Sequence, residues 1–288
     1  MLPFANITAE TVGSEVFDMK TRVIVALVLL PLLLVVLLVL PKVVTAILLA
    51  VMAAIAAYEL LSGTGLVKHP RLCVYAMVSA LWCALWCGLH IGYAWLLLGI
   101  LLYWCALFAE MMFSGGKLGV DKIAVCFLAG VIIPLLFASI VRIQITEKGR
   151  VLALLPFAIA FLSDSGAYFA GLKFGKHKLA PTISPKKTVE GVLGGIVATV
   201  FGMIVFSLIM DVFLGMEVNY LAAFVYGIAG SVAGVFGDLC FSVIKRQTGI
   251  KDYGNLIPGH GGILDRFDSM MVVGPLTEIL LFLLPLAV

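Results

Sequence analysis

Predominantly apolar runs with few charges, most of them near twenty residues long, follow one another from Val23 almost to the last residue. A hydrocarbon layer about 30 Å thick takes roughly 20 residues of α-helix to cross. Nine such segments can be placed, at about 23–41, 43–62, 72–90, 92–113, 122–141, 151–171, 190–214, 218–243 and 269–287. Only 12% of the residues are charged, where a soluble domain carries roughly a quarter. The spans leave no room for a soluble domain, and no linker, low-complexity tract or clear internal repeat interrupts them. The reading is an all-α, polytopic integral membrane protein with about nine transmembrane helices.

The first apolar segment follows Lys20 and Arg22 and has the flanks of a secretion signal. It is too long for one, and no small-x-small site precedes Pro41 and Lys42, so it reads as a retained span behind a short interfacial arm. With nine spans the connections alternate between two sides. One side receives Lys20, Arg22, Lys68, Arg71, Lys117, Lys122, Lys173, Lys176, Lys178, Lys186, Lys187, Lys245, Arg246, Lys251 and Arg266; the other receives Lys42, Arg142, Lys148 and Arg150. The positive-inside rule makes the first side cytoplasmic, with the N-terminus cytoplasmic and the C-terminus on the outer side. Topology accounts for the net charge of +3, which implies no nucleic acid partner. The cysteines, Cys73, Cys83, Cys87, Cys105, Cys126 and Cys240, lie within or beside apolar segments without CxxC spacing and read as small hydrophobes.

Charge on the cytoplasmic side gathers in two connections. The first runs from Gly171 to Gly191, where Pro181 and Pro185 rule out a continuous helix. Ser184, Lys186 and Lys187 precede Thr188, which is placed to cap the seventh span, with free N–H donors available there to an anion. A loop that only pins topology and touches anionic lipid would carry the same lysines. The second connection, Ser242 to Ser269, adds acidic residues that topology does not need: Asp252, Asp265 and Asp268. With a helix starting near Ile263, Asp265 and Asp268 share a face and repel unless a cation lies between them. Hard oxygen ligands without histidine or thiolate neighbours point to magnesium. The plainer alternative is that acidic residues favour a helix N-terminus, worth about 0.3–1 kcal/mol each.

Carboxylates inside apolar spans cost roughly 2.5–3.5 kcal/mol even on generous scales. Glu59, Glu110 and Asp211 stand near span ends, within reach of head groups, and Glu278 reads as an interhelical hydrogen-bonding group. Asp164 and Asp238 stand ahead of the two polar connections, and Asp238, Ser242 and Lys245 recur at helical spacing as one stripe. The expectation is a cavity at the cytoplasmic boundary, walled by the last four spans. In it Asp238, Asp265 and Asp268 hold one or two metal ions and lysines and arginines bind phosphates. Such a cavity suits transfer of a nucleotidyl or phosphoryl group to a lipid.

The second connection resembles the signature of the phosphatidate cytidylyltransferase (CDP-diacylglycerol synthase) family. The pattern is Ser242-x-Ile244-Lys245-Arg246, Lys251-Asp252-x-Gly254, and Ile257-Pro258-x-His260-Gly261-Gly262-Ile263-x-Asp265-Arg266-Phe267-Asp268. The stretch from Asp164 to Gly191 is similar to the family's other polar region, so motif likeness covers roughly residues 160–288. The resemblance implies CTP and phosphatidic acid as substrates, CDP-diacylglycerol and pyrophosphate as products, and Mg2+, with a second metal ion left open. It implies catalytic roles for Asp238, Lys245, Asp265, Arg266 and Asp268, with Lys245 and Arg266 stabilising charge. Substrate contacts are implied for Asp164, Tyr168, Lys176, Lys178, Ser184, Lys186, Lys187, Thr188, Ser242, Arg246, Lys251 and His260. A homodimer, membrane lipids as surroundings and a bacterial plasma membrane with a cytoplasmic site are further implications.

These readings divide the chain into residues 1–150, about five helices forming a scaffold or dimer interface, and residues 151–288, about four catalytic helices. A transporter remains the rival with intramembrane carboxylates. A CTP-dependent lipid kinase is the rival within phosphoryl chemistry.

Overall fold

The computed structural model of the chain describes residues 31–89, 91–115, 117–256 and 261–287. Among the described residues, seven helices are long and apolar enough to cross a membrane. Residues 31–38 form α1, the visible part of the first expected span; the arm before it, with Lys20 and Arg22, lies outside the described residues. Then come α2 (Lys42–Tyr58), extended by a π-helical turn Glu59–Gly63, α3 (Pro70–Gly88) and α4 (Tyr93–Phe113). The next span is α5 (Val120–Phe127), a π-helical turn Leu128–Ile132, α6 (Ile133–Phe137) and α7 (Ser139–Ile145). A short α8 (Gly149–Leu152) leads into α9 (Leu155–Phe174), followed by α10 (Val189–Leu214) and α11 (Tyr220–Thr248). Each expected span from the second to the eighth thus coincides with one long helical segment.

The architecture is the expected all-α one, with one small addition: β1 (Lys178–Ala180) and β2 (Ser184–Thr188) pair antiparallel, with Lys178 opposite Thr188 and Ala180 opposite Ser184. Pro181 and Pro185 bar helix there, and the segment between α9 and α10 pairs with itself instead. The ninth span is shorter than expected. It consists of α12 (Ile263–Phe267) and α13 (Met270–Leu283), separated by Asp268 and Ser269. Pro285 ends α13 by forcing Leu284 out of helical geometry, to φ −140° and ψ 75°. The segment beyond folds back, with Asn219 N–H donating to Leu286 O at 2.9 Å.

The π-helical turn in the fifth span has a chemical cause. Pro134 has no N–H to give Gly130 O, its helical partner four residues back, and the Ser79 hydroxyl supplies that bond at 2.8 Å. Tyr103 OH likewise donates to Cys126 O at 2.7 Å. Two neighbouring helices, α3 and α4, thereby close the gaps of a widened turn, as the interior of a bilayer requires.

Lipid gives helices no hydrophobic reason to associate, so close packing of small residues carries the contacts. Ala46, Ala50, Ala53 and Ala57 of α2 are buried against α3, which buries Ala76, Ala80 and Ala84. On α10 the buried stripe Gly191, Gly195, Thr199, Met203 and Ser207 returns every fourth residue and lies on α9. The large residues of α10, such as Val197, Phe201 and Phe213, are exposed to the surroundings. The two halves of the chain are joined through α13, which packs on α6 and α7 as well as α9 and α11. Arg142 on α7 grips Glu278 on α13 with two hydrogen bonds of 2.6 and 2.7 Å, the interhelical role expected of Glu278. All six cysteines are free.

Candidate active site

The hairpin is fixed to the helix that follows it. Thr188 caps α10, its hydroxyl accepting the Gly191 N–H at 3.1 Å, as its position in the sequence predicts. Glu190 accepts the backbone N–H groups of Lys176 and His177 at 3.0 and 3.1 Å and pairs with the His177 ring. The hairpin so held reaches α11 at two points: Lys187 forms an ion pair with Asp238, and Arg246 Nε donates to Ile183 O at 3.1 Å.

The expected stripe on α11 is present, but its members divide. Ser242 Oγ donates to Asp238 Oδ1 at 3.0 Å, one turn along the same helix. Lys245 turns to Asp265, with Nζ 2.9 Å from Oδ1, and the two side chains are only 12% and 1% exposed. Gly249, at φ +73°, ends α11 in the left-handed conformation that glycine adopts without strain and releases the chain into the second polar connection.

Asp265 is the hub of that connection. Its Oδ2 accepts the Tyr253 N–H at 2.7 Å and the Gly262 N–H at 3.0 Å, while Oδ1 takes Lys245. Tyr253 is buried, donates its hydroxyl to Phe241 O at 2.8 Å and lies under the Lys245 ammonium. Both oxygens of Asp265 thus have partners within the protein. Asp268 and Ser269 keep right-handed helical dihedrals between α12 and α13. Gly237 lets α11 approach them closely; a Cβ there would stand 2.7 Å from Asp268 O.

Asp268 feels the charges of Asp238, Lys245 and Asp164, and Asp164 those of Lys187, Asp238 and Arg266. The structure thus gathers Asp164, Asp238 and Asp268 from α9, α11 and the α12–α13 junction, with Lys187, Lys245 and Arg266 around them. The donors that the three carboxylates offer are all hard oxygens. Among the described residues no three His, Cys, Asp or Glu side chains form a ready-made metal cluster. In their place the Lys187 ammonium neutralises Asp238.

Other expected site residues fall around this cluster. Lys186 and Lys178 are exposed on the hairpin with Ser184 half-buried, Lys176 is exposed just before it, and Lys251 is exposed in the second connection. Tyr168 lies one turn beyond Asp164 on α9, 65% exposed, its ring edge-on to Phe169. His260 and its neighbours Ile257, Pro258 and Gly259 lie outside the described residues. Sequence reasoning missed Tyr253, which occupies an unspecified position of the motif, and assigned Glu59 to head groups. Glu59 is buried instead and bonds to the start of α12. Its signal was available, because an acidic residue at the end of a long apolar run demands a partner.

Residues 20–284 match the Cytidylyltransferase family. Curated relatives include proteins named phosphatidate cytidylyltransferase from Staphylococcus epidermidis, 47% identical over 135 residues, and Staphylococcus aureus, 45% identical over the same length. Each alignment covers 47% of this chain and 50% of the relative, so the similarity spans about half the length of the curated relatives.

Proposed function

The chain belongs to the cytidylyltransferase family, and we propose that it is an integral membrane enzyme joining CTP and phosphatidic acid into CDP-diacylglycerol with release of pyrophosphate. The observation that carries this reading is the convergence of Asp164, Asp238 and Asp268 with Lys187, Lys245 and Arg266, the donor set that a metal-bound polyphosphate requires. The names of the staphylococcal relatives support the choice of nucleotide and lipid.

A phosphate oxygen of phosphatidic acid attacks the α-phosphorus of CTP. The bond from that phosphorus to the oxygen bridging the β-phosphate breaks, and pyrophosphate leaves. A phosphomonoester has a second pKa near 6, so much of the nucleophile is already a dianion and no strong general base is needed. Lys187 and Arg266 meet the negative charge that spreads over the α-phosphoryl and pyrophosphate oxygens. Lys186 and Lys251, exposed beside the cluster, contact the outer phosphates, and Lys176, Lys178, Ser184 and Arg246 extend that basic surface. Asp265 holds Lys245 and two loop amides in place.

Asp238 and Asp268, with Asp164 beside them, would hold a magnesium ion, which would supply charge neutralisation at the phosphates. The excess of Lys and Arg on one side supports a cytoplasmic face for this boundary, and the bacterial relatives support a plasma membrane. Formation of CDP-diacylglycerol and pyrophosphate in equal amounts from unlabelled substrates, followed by mass spectrometry, tests the reaction.

A further inference from the structure

The second span ends in a turn with no part in the proposed chemistry, yet it is moulded to the loop that carries Asp265, Arg266 and Asp268. Glu59 opens this π-helical turn and is 5% exposed. Its Oε1 accepts the Ile263 N–H at 3.0 Å and its Oε2 the Leu264 N–H at 2.9 Å, the first two amides of α12. Helix-start amides have no partner within the helix, and one carboxylate here satisfies both.

The loop fits around this carboxylate by lacking side chains. A Cβ on Gly254 or Gly262 would stand 2.6 or 2.5 Å from Glu59 Oε1. At the other end of the same turn, a Cβ on Gly63 would stand 2.3 Å from Tyr253 O, the residue whose N–H binds Asp265. Hydrogen bonds and close backbone approach thus register the loop against the second span at both ends of one turn.

We propose that Glu59 is a positioning residue for the active-site loop: by holding the amides of Ile263 and Leu264 it sets where Asp265, Arg266 and Asp268 stand. The proposal rests on the cytidylyltransferase reading of the site and gives the N-terminal half of the chain a part in it. Glutamine cannot replace the carboxylate, because its NH2 would meet one of the two N–H groups. Aspartate keeps two acceptors but withdraws them by one methylene.

The test uses the full chain in mixed micelles containing phosphatidic acid, with magnesium and α-labelled CTP. Glu59→Gln, Glu59→Asp and Glu278→Gln are compared with the parent protein. The last variant breaks the Arg142 pair and stands outside the site. Displacing a reacting group by about 1 Å can cost 10²-fold, so Glu59→Gln is expected to lower kcat about 10- to 100-fold with KM for CTP changed less than about threefold. Amide exchange over residues 261–268 should quicken in the same variant, and Glu59→Asp should fall between it and the parent. Glu278→Gln should lower the thermal midpoint and keep the parental kcat.

A parental kcat in folded Glu59→Gln overturns the proposal, as does an equal loss in Glu278→Gln. If Glu59→Gln does not accumulate as folded protein, a parental kcat in Glu59→Asp overturns it. A parent protein that transfers no label removes the cytidylyltransferase reading separately; the exchange of residues 261–268 in the Glu59 variants then still decides whether Glu59 holds the loop.

Discussion

Asp238→Asn is expected to reduce kcat by about 10²- to 10³-fold, the usual cost of removing one preorganised charge contact from a transition state. The carboxylate sits between the hairpin and the α12–α13 junction, paired with Lys187, bonded to Ser242 and felt by both Asp164 and Asp268. Asparagine keeps the shape and the hydrogen bond from Ser242, so the fold should persist with a thermal midpoint close to that of the parent. A loss of kcat with an unchanged midpoint supports the site; full activity in this variant places the chemistry elsewhere.

Lys245→Ala is expected to have the largest effect on stability. Asp265 is almost wholly buried, and removing one partner of a buried pair typically costs about 3–5 kcal/mol, because the other charge is left uncompensated. The loss should spread to Tyr253, whose ring lies under the ammonium and whose N–H shares the same carboxylate. Replacing both partners, as in Lys245→Met with Asp265→Asn, should recover most of the stability, since an asparagine oxygen can still accept a loop N–H. Activity should not return, because Asp265 and Lys245 order the loop that carries Arg266 and Asp268. Denaturant midpoints and initial rates on the three proteins separate the two effects; a single variant as stable as the double one would mean that the pair is not buried in the way described.

Much of this architecture was legible because a bilayer imposes a length on every helix. Spans from the second to the eighth could be counted from apolar runs alone. The hairpin was not foreseen: two prolines announced an end to helix, but pairing between Lys178 and Thr188 depends on how α9 and α10 bring the segment ends together. The last span ends sooner than its apolar composition suggests, because Pro285 forces Leu284 out of helical geometry.

At the site, the stripe of Asp238, Ser242 and Lys245 and the cap by Thr188 follow from periodicity within one helix. Partner choice across helices does not. Spacing placed Asp265 beside Asp268, while the fold gave Asp265 to Lys245 and two amides and drew Asp268 toward Asp164 and Asp238. Glu59 shows the same limit more sharply, since its partners lie in the last polar connection of the chain.

The central claim is tested most directly by following the phosphates of CTP. Purified protein is incubated with phosphatidic acid, magnesium and CTP labelled in separate reactions at the α- or the γ-phosphate, with Asp265→Asn and Lys245→Ala alongside. The account predicts that α label enters the lipid, that γ label is released as pyrophosphate, and that both variants are nearly inactive. Appearance of γ label on a lipid alcohol would make the protein a kinase, and label that stays in CTP would leave it a transporter; either result contradicts the account.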